Sequence, residues 1–220
     1  MKKVVSGIVQ FQKEDFEARR ALFAELANGQ SPEVLLVTCA DSRIDPNLVT
    51  QTEPGDLFIC RNAGNIVPPH TRHAGGVTAS IEYAVAVLGV QDIVICGHTD
   101  CGAMKGAMNL DAVADLPHVR DWLDHSRAAV ETVDGDDTAD AGERLLRVTE
   151  QNVLLQLAHL RTHPAVASRL ANGKIGLHGW VYHIETGDVT CYDEQCGEFT
   201  SLEVRYASLL SAREEAAVSG

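Results

Sequence analysis

The sequence predicts an α/β fold with a mainly parallel central β-sheet flanked by helices. Two patterns carry that expectation. Residues 34–37, 57–60 and 92–96 are short strand-like runs dominated by apolar residues and bounded by turn signals, as strands buried on both faces require. Helically spaced apolar residues fill much of the chain between them, and helix alternating with strand implies parallel pairing with helices on both faces. Ligands in such sheets collect beyond the strand C-termini. Cys39 and His98, two side chains able to hold a metal, stand at such ends.

Taken in order, Phe16, Leu22, Phe23 and Leu26 lie at helical spacing within residues 13–28, and Asn28-Gly29 supplies the stop. After Pro32 the first strand delivers Cys39 into the polar run Cys39-Ala40-Asp41-Ser42-Arg43. Asp45 before Pro46 is an N-cap and first helical residue, and Glu53-Pro54-Gly55 turns the chain into the second strand. A helical pattern covers 75–88, and the third strand ends at Gly97-His98. Helices are expected over 117–130 and 143–161 around a charged, glycine-containing stretch, with 134–142 a solvated, mobile loop. Residues 174–182 and 189–192 predict a hairpin around Thr186-Gly187-Asp188, followed by a weaker tail rich in Ala, Glu and Ser. No linker divides the chain and no repeat is visible, so residues 1–220 are expected to form a single domain.

Composition narrows the classes of function. The 220 residues are 45% hydrophobic and 22% charged, ordinary for a globular protein. A net charge of -13 argues against nucleic acid as a partner, because displacing counterions from phosphates needs clustered Lys and Arg. No segment approaches the roughly 20 uncharged apolar residues that cross a bilayer; the apolar stretch 84–96 breaks at Gly89 and Asp92. No membrane partner is expected. The N-terminus holds no apolar run long enough for a secretory signal, so the expected location is cytoplasmic. There the six cysteines at 39, 60, 96, 101, 191 and 196 stay reduced, which leaves metal binding, catalysis or core filling as their uses.

Cys39, His98 and Cys101 offer two thiolates and an imidazole, donors that zinc prefers, and the His-x-x-Cys spacing lets one turn present two of them. A structural zinc site closes its fourth position with another Cys or His, often from a second Cys-x-x-Cys, and the chain has no such pair. Three ligands with an open position imply catalysis by zinc-bound hydroxide. Two thiolates cancel the charge of the ion, so its water should acidify less than in a three-histidine site, yet stay far more acidic than bulk water. By itself His98-x-x-Cys101 is better explained as a buried thiol and a turn-capping histidine. The weight comes from Cys39 on another strand, which arrives with Asp41 and Arg43 within five residues. A buried Asp and Arg must pair; so paired, Asp41 keeps a depressed pKa and can accept a hydrogen bond from the hydroxide. Without the ligands nearby, a structural salt bridge would explain the pair as well. Asp41 could also occupy the fourth position itself, and Arg43 is expected to hold it off the metal.

These residues and the text around them resemble the β-class carbonic anhydrases over most of the chain. The matching elements are Cys39-Ala40-Asp41-Ser42-Arg43, Pro54-Gly55-Asp56-Leu57-Phe58, Arg61-Asn62-Ala63-Gly64-Asn65, Ile81-Glu82-Tyr83-Ala84-Val85, Cys96-Gly97-His98-Thr99-Asp100-Cys101-Gly102 and Leu177-His178-Gly179-Trp180. Gln30-Ser31-Pro32 is similar to the plant, cyanobacterial and cyanate-operon bacterial members. The resemblance implies one Zn2+ per chain and the reversible hydration of carbon dioxide to bicarbonate and a proton. By position, Asp41 would orient the hydroxide and Arg43 hold Asp41. Gln30 and the Gly102 N–H would contact substrate oxygens, and Phe58 and Tyr83 would line the apolar pocket that carbon dioxide needs. The resemblance further implies a homodimer or dimer-based higher oligomer, with some pocket groups from the neighbouring subunit and residues 1–30 as an embracing helical arm. Leu36 stands where members with a regulatory bicarbonate site carry Trp, so no such site is expected.

The alternative activity is hydrolysis of carbonyl sulfide or carbon disulfide, which the same metal hydroxide could attack. Other candidates carry less weight. Cys191 and Cys196 are expected to be core or exposed thiols, and His70 and His73 surface residues able at most to shuttle protons. Gly75-Gly76 opens a helix without a phosphate-loop lysine.

Overall fold

The computed structural model describes residues 1–73, 75–133 and 140–211. Six strands, β1 (Val34–Cys39), β2 (Leu57–Asn62), β3 (Asp92–His98), β4 (Gly176–Tyr182), β5 (Val189–Asp193) and β6 (Glu198–Ser201), pair in the order β2-β1-β3-β4-β5-β6. The first four are parallel and the last two run antiparallel as a meander at one edge. All three expected apolar runs are strands, and each extends two residues beyond the expected run. For β1 and β3 the extension takes in Cys39 and His98 themselves. The expected hairpin is β4 and β5. β6 falls in the tail that the sequence left weak, because its four residues are too short to show an alternation.

The N-terminal helix differs from expectation. Residues 13–28 are not one helix but α2 (Asp15–Ala18) and α3 (Arg20–Leu26), preceded by α1 (Lys2–Lys13). Breaks at Glu14 and Arg19 let Phe11 of α1 meet Phe16 and Phe23 at ring separations of 5.9–6.2 Å, and Phe16 stack on Phe23 at 5.2 Å. Tertiary aromatic contact has overridden a continuous period. The N-cap at Asp45 is as expected: it opens α4 (Pro46–Thr50) and its Oδ1 accepts from the Leu48 N–H at 3.3 Å.

The expected 75–88 helix is α5 (Gly76–Glu82) continued by a π-helical turn over Tyr83–Leu88 and ended by Gly89 at φ 74°. Further along lie α6 (Gly102–Met108), α7 (Pro117–Leu123), α8 (Arg127–Val133), α9 (Ala141–Leu160), α10 (Pro164–Ala171) and α11 (Leu202–Arg205). A tighter turn at Asp124–Ser126 divides the helix expected over 117–130. Of the loop expected over 134–142, residues 134–139 lie outside the described residues. Its end is helical instead, because the Asp140 carboxylate accepts from the Gly142 and Glu143 N–H groups and starts α9 at Ala141. α6 and α10 leave no signal in the sequence, each being too short to fix a period.

The main core lies between one sheet face and α5, α9 and α10. Leu35, Val37, Ile93, Ile95 and Val181 of the sheet meet Ile81, Val153, Leu160 and Val166, all with no exposure. Each such side chain contributes roughly 1.5–3 kcal/mol of burial. On the other face Leu36, Val94 and Cys96 pack with Trp180 and Tyr182.

α9 comes unusually close to the sheet at two glycines. A Cβ on Gly179 would stand 2.8 Å from Val153 Cγ1 and 3.1 Å from Leu157 Cδ1, and one on Gly97 would stand 3.0 Å from Val153 Cγ2. The approach at Gly97 fixes the residue just before His98. Gly179→Ala should therefore overpack this contact and lower stability by about 1–3 kcal/mol, read as a lower urea midpoint with an unchanged slope.

Candidate metal centre

Parallel pairing of β1 with β3 matches Thr38 to Cys96, so the two strand ends carry Cys39 and His98 to the same edge of the sheet. Cys101 follows His98 after a turn in which Asp100 takes a left-handed conformation, φ 57°, and Gly102 then opens α6. Asp tolerates that conformation better than most residues. The ligand atoms of Cys39, His98 and Cys101 all lie within 4.8 Å of one another, and all three residues are buried. A tetrahedral ion with bonds of about 2.0–2.3 Å could draw these atoms together. No other group of three or more His, Cys, Asp or Glu side chains meets that geometry among the described residues.

The imidazole is set for a metal. His98 Nδ1 lies 2.9 Å from the Thr99 carbonyl, which can only accept, so Nδ1 carries the proton and Nε2 presents a lone pair. That Nε2 is buried with no hydrogen-bond partner. An orphaned buried nitrogen is costly unless something fills its valence, and beside two sulfurs the fitting occupant is a cation.

Hydrogen bonding sets the two thiols apart. Cys39 is pulled well below its ordinary pKa, chiefly by the Cys101 S–H and further by the Gly64 N–H, against the cost of burial. The Cys39 thiolate in turn pushes Cys101 far up. The Gly64 N–H donates to Cys39 Sγ at 3.3 Å.

Asp41 and Arg43 sit at the rim. Arg43 donates from Nε to Asp41 Oδ1 at 3.0 Å and from Nη2 to Oδ2 at 2.8 Å, and its backbone N–H adds a third bond to Oδ1 at 2.9 Å. These bonds hold the Asp41 carboxyl far below the usual carboxylate range. Its Oδ2 is 3.9 Å from His98 Nε2.

Several partners here went unremarked in the sequence. Arg43 Nη1 also donates to Asp100 Oδ2 at 2.8 Å, and Lys105 pairs with Asp100 Oδ1; Lys105 first and Arg43 second lower the Asp100 pKa. Arg61 ties down the same segment, donating from Nε to the Cys39 carbonyl at 2.9 Å and from Nη2 to the Asp41 carbonyl at 2.8 Å. Asp100 was legible as the acid inside the His-x-x-Cys turn; its link to Arg43 depends on the fold.

The remaining expected site residues divide. Gly102 adjoins Cys101 at the first turn of α6, where backbone N–H groups lack intrahelical acceptors. Phe58 and Tyr83 pack together at 6.0 Å, but Phe58 pairs with Leu35, four register positions or about 13 Å from the Cys39 end of β1. Gln30 is exposed and precedes β1, at the strand end opposite Cys39. A single chain therefore does not bring Gln30, Phe58 and Tyr83 to its own Cys39. His70 packs against His163 at 5.7 Å, Cys191 is a buried free thiol and Cys196 an exposed one.

Residues 34–189 match the family model described as carbonic anhydrase. A carbonic anhydrase of Pseudomonas aeruginosa is 48% identical over 202 residues, 92% of each chain, and carbonic anhydrase 1 of Escherichia coli O157:H7 is 46% identical over the same shares. Among solved structures, the β-carbonic anhydrase CcaA superposes with a TM-score of 0.89 at 43% identity, covering 91% of this chain and 98% of that one. A tetrameric β-carbonic anhydrase of Sordaria macrospora superposes with a TM-score of 0.75 at 30% identity, covering 91% and 98%.

Proposed function

The chain belongs to the β class of the carbonic anhydrase family and catalyses the reversible hydration of carbon dioxide to bicarbonate and a proton, and we propose the following division of labour among its residues. The carrying observation is the buried Cys39–His98–Cys101 cradle, with its orphaned Nε2, beside a carboxylate bound on both oxygens by Arg43. Cys39, His98 and Cys101 hold the zinc ion, which when bound supplies a Lewis acid that lowers the pKa of a coordinated water toward neutrality.

Asp41 stays ionised through its bonds to Arg43 and accepts the hydrogen bond that orients the attacking oxygen toward carbon dioxide. Arg43 keeps both carboxylate oxygens engaged, so that Asp41 stands beside the metal position rather than in it. Arg43 is itself anchored by Asp100, and Asp100 by Lys105. The Gly102 N–H offers a donor to a substrate oxygen at the mouth of α6. Carbon dioxide carries no net dipole, so its binding site needs apolar walls more than polar groups.

Those walls call for a second copy of the chain. In a homodimer, or a larger assembly of dimers, Gln30, Phe58 and Tyr83 serve the neighbour's cradle and residues 1–30 embrace it. Val4, Val5, Ile8, Val9 and Phe11 leave α1 with an exposed apolar face, which supports that reading. A reducing cytoplasmic setting suits six free cysteines, and no described helix is long and apolar enough to cross a membrane.

Asp41→Asn should retain zinc but lower hydration about 100-fold or more, measured by stopped flow beside metal analysis; full activity with full zinc would remove Asp41 from this role. Carbonyl sulfide assayed in parallel tests the alternative substrate. Arg43→Ala should free Asp41 to ligate the metal, seen crystallographically as a zinc–oxygen bond of about 2 Å. Deleting residues 1–14 should convert the assembly to monomers in sedimentation velocity and abolish most activity.

A further inference from the structure

The loop from Asn62 to Pro68, between β2 and α5, is pinned by side chains along its length. Asn62 bonds both backbone groups of Ile66, accepting at 2.7 Å and donating at 2.9 Å. From α9, Asn152 Nδ2 donates to the Gly64 carbonyl at 3.1 Å and Gln156 Oε1 accepts from the Val67 N–H at 2.9 Å. His159 Nδ1 donates to the Val67 carbonyl at 2.7 Å, and His163 Nε2 to that of Pro68 at 3.0 Å. Asn152 and Gln156 have no exposure. Burying such a polar row within an apolar helix interface is favourable only when every group finds a partner. Here the partners belong mostly to one loop.

What that loop delivers to the metal centre is the Gly64 N–H on Cys39 Sγ. The N–H belongs to the peptide unit joining Ala63 to Gly64. The other end of the same unit, the Ala63 carbonyl, accepts from Trp122 Nε1 at 2.8 Å. Asn152 holds the next carbonyl along, and its own Oδ1 is fixed by Ser126 Oγ and Gln156 Nε2, both at 2.8 Å. Gly64 can occupy this position because it has no side chain. At φ +83° a Cβ would lie 3.0 Å from both Ala103 Cβ and Met104 Cε of α6. Indole N–H, peptide C=O, peptide N–H and sulfur thus form one hydrogen-bonded chain, and donation into a carbonyl polarises the N–H at the far side of its peptide.

We propose that Trp122 is a positioning residue for the metal centre: through the Ala63–Gly64 peptide it aims and polarises the N–H on Cys39 Sγ, and so limits how much charge that thiolate gives the ion. Asn152 fixes the following peptide to the same end. The proposal rests on the reading of Cys39, His98 and Cys101 as metal ligands. Its chemistry runs opposite to that of the thiolates, which neutralise the ion; an N–H drawn onto sulfur restores part of the positive charge that activates water.

Trp122→Phe tests it by removing one N–H while keeping a ring against α6 and His125. Cobalt(II)-substituted wild-type protein should show thiolate-to-cobalt charge-transfer bands. In Trp122→Phe those bands should move to lower energy, with hydration by the zinc form reduced about 10-fold and the melting temperature of the metal-free protein little changed. Asn152→Asp, which keeps the volume and the Oδ1 acceptor, should move the bands in the same direction. Trp180→Phe removes an indole N–H that donates to Tyr206 at 3.3 Å instead and should leave them in place.

Unshifted bands in Trp122→Phe at full cobalt occupancy would overturn the proposal. So would the absence, in cadmium-113 wild-type protein, of scalar coupling between the Gly64 amide proton and the metal, a measurement that needs no variant to fold. Absence of any thiolate charge-transfer band in the wild type would instead overturn the metal reading beneath it.

Discussion

The parallel register of β1 and β3 is the constraint on which the rest depends. It places Cys39 beside the end of the strand that carries His98, and a slip of one residue would turn each side chain to the opposite face of the sheet. The apolar core holds that register: Leu35 and Val37 against Ile93 and Ile95 on one face, Leu36 against Val94 on the other. The same burial that stabilises the sheet strips water from the ligands. A histidine with no exposure and an unpartnered nitrogen is a liability in an empty core and a ligand beside two sulfurs.

Around the cradle, charge is arranged in a chain of diminishing burial. Asp41 is close to the ligands and largely covered, Arg43 is partly exposed, and Asp100 and Lys105 are more than half exposed. Exposed ion pairs contribute little to stability, so this chain is better understood as a geometric restraint. Its inner member has both oxygens occupied, and a carboxylate so occupied is not free to swing onto a metal. Arg61 steadies the same segment from behind through the carbonyls of Cys39 and Asp41. Side chain and backbone of residues 39–43 are thus held independently.

The sheet alone does not make the pocket. Phe58 and Tyr83 form an aromatic pair far along β2 from the metal end, and Val4, Val5, Ile8 and Val9 of α1 stand exposed. Both features have a simple physical reading if a second copy covers them. An apolar helix face in water is unfavourable by the area it exposes.

Three apolar runs and their order were enough to determine the parallel α/β core from sequence, because a strand buried on both faces leaves a nearly continuous apolar signature. The ligands were legible for a related reason: Cys and His just past such runs must arrive at one sheet edge, whatever the helices do. The five-residue spacing of Cys39, Asp41 and Arg43 likewise contained its own ion pair. Other features were invisible for want of a local signal. Phe11 meeting Phe23 breaks an otherwise acceptable helix, and the period along 13–28 does not report it. Trp122 and Asn152 lie 58 and 88 residues from Gly64, and nothing near either hints at a loop beside a sulfur. Only the tertiary structure decided which carbonyl each would meet, since hydrogen bonds of such long sequence separation are fixed by how α7 and α9 pack, not by what surrounds them in the chain.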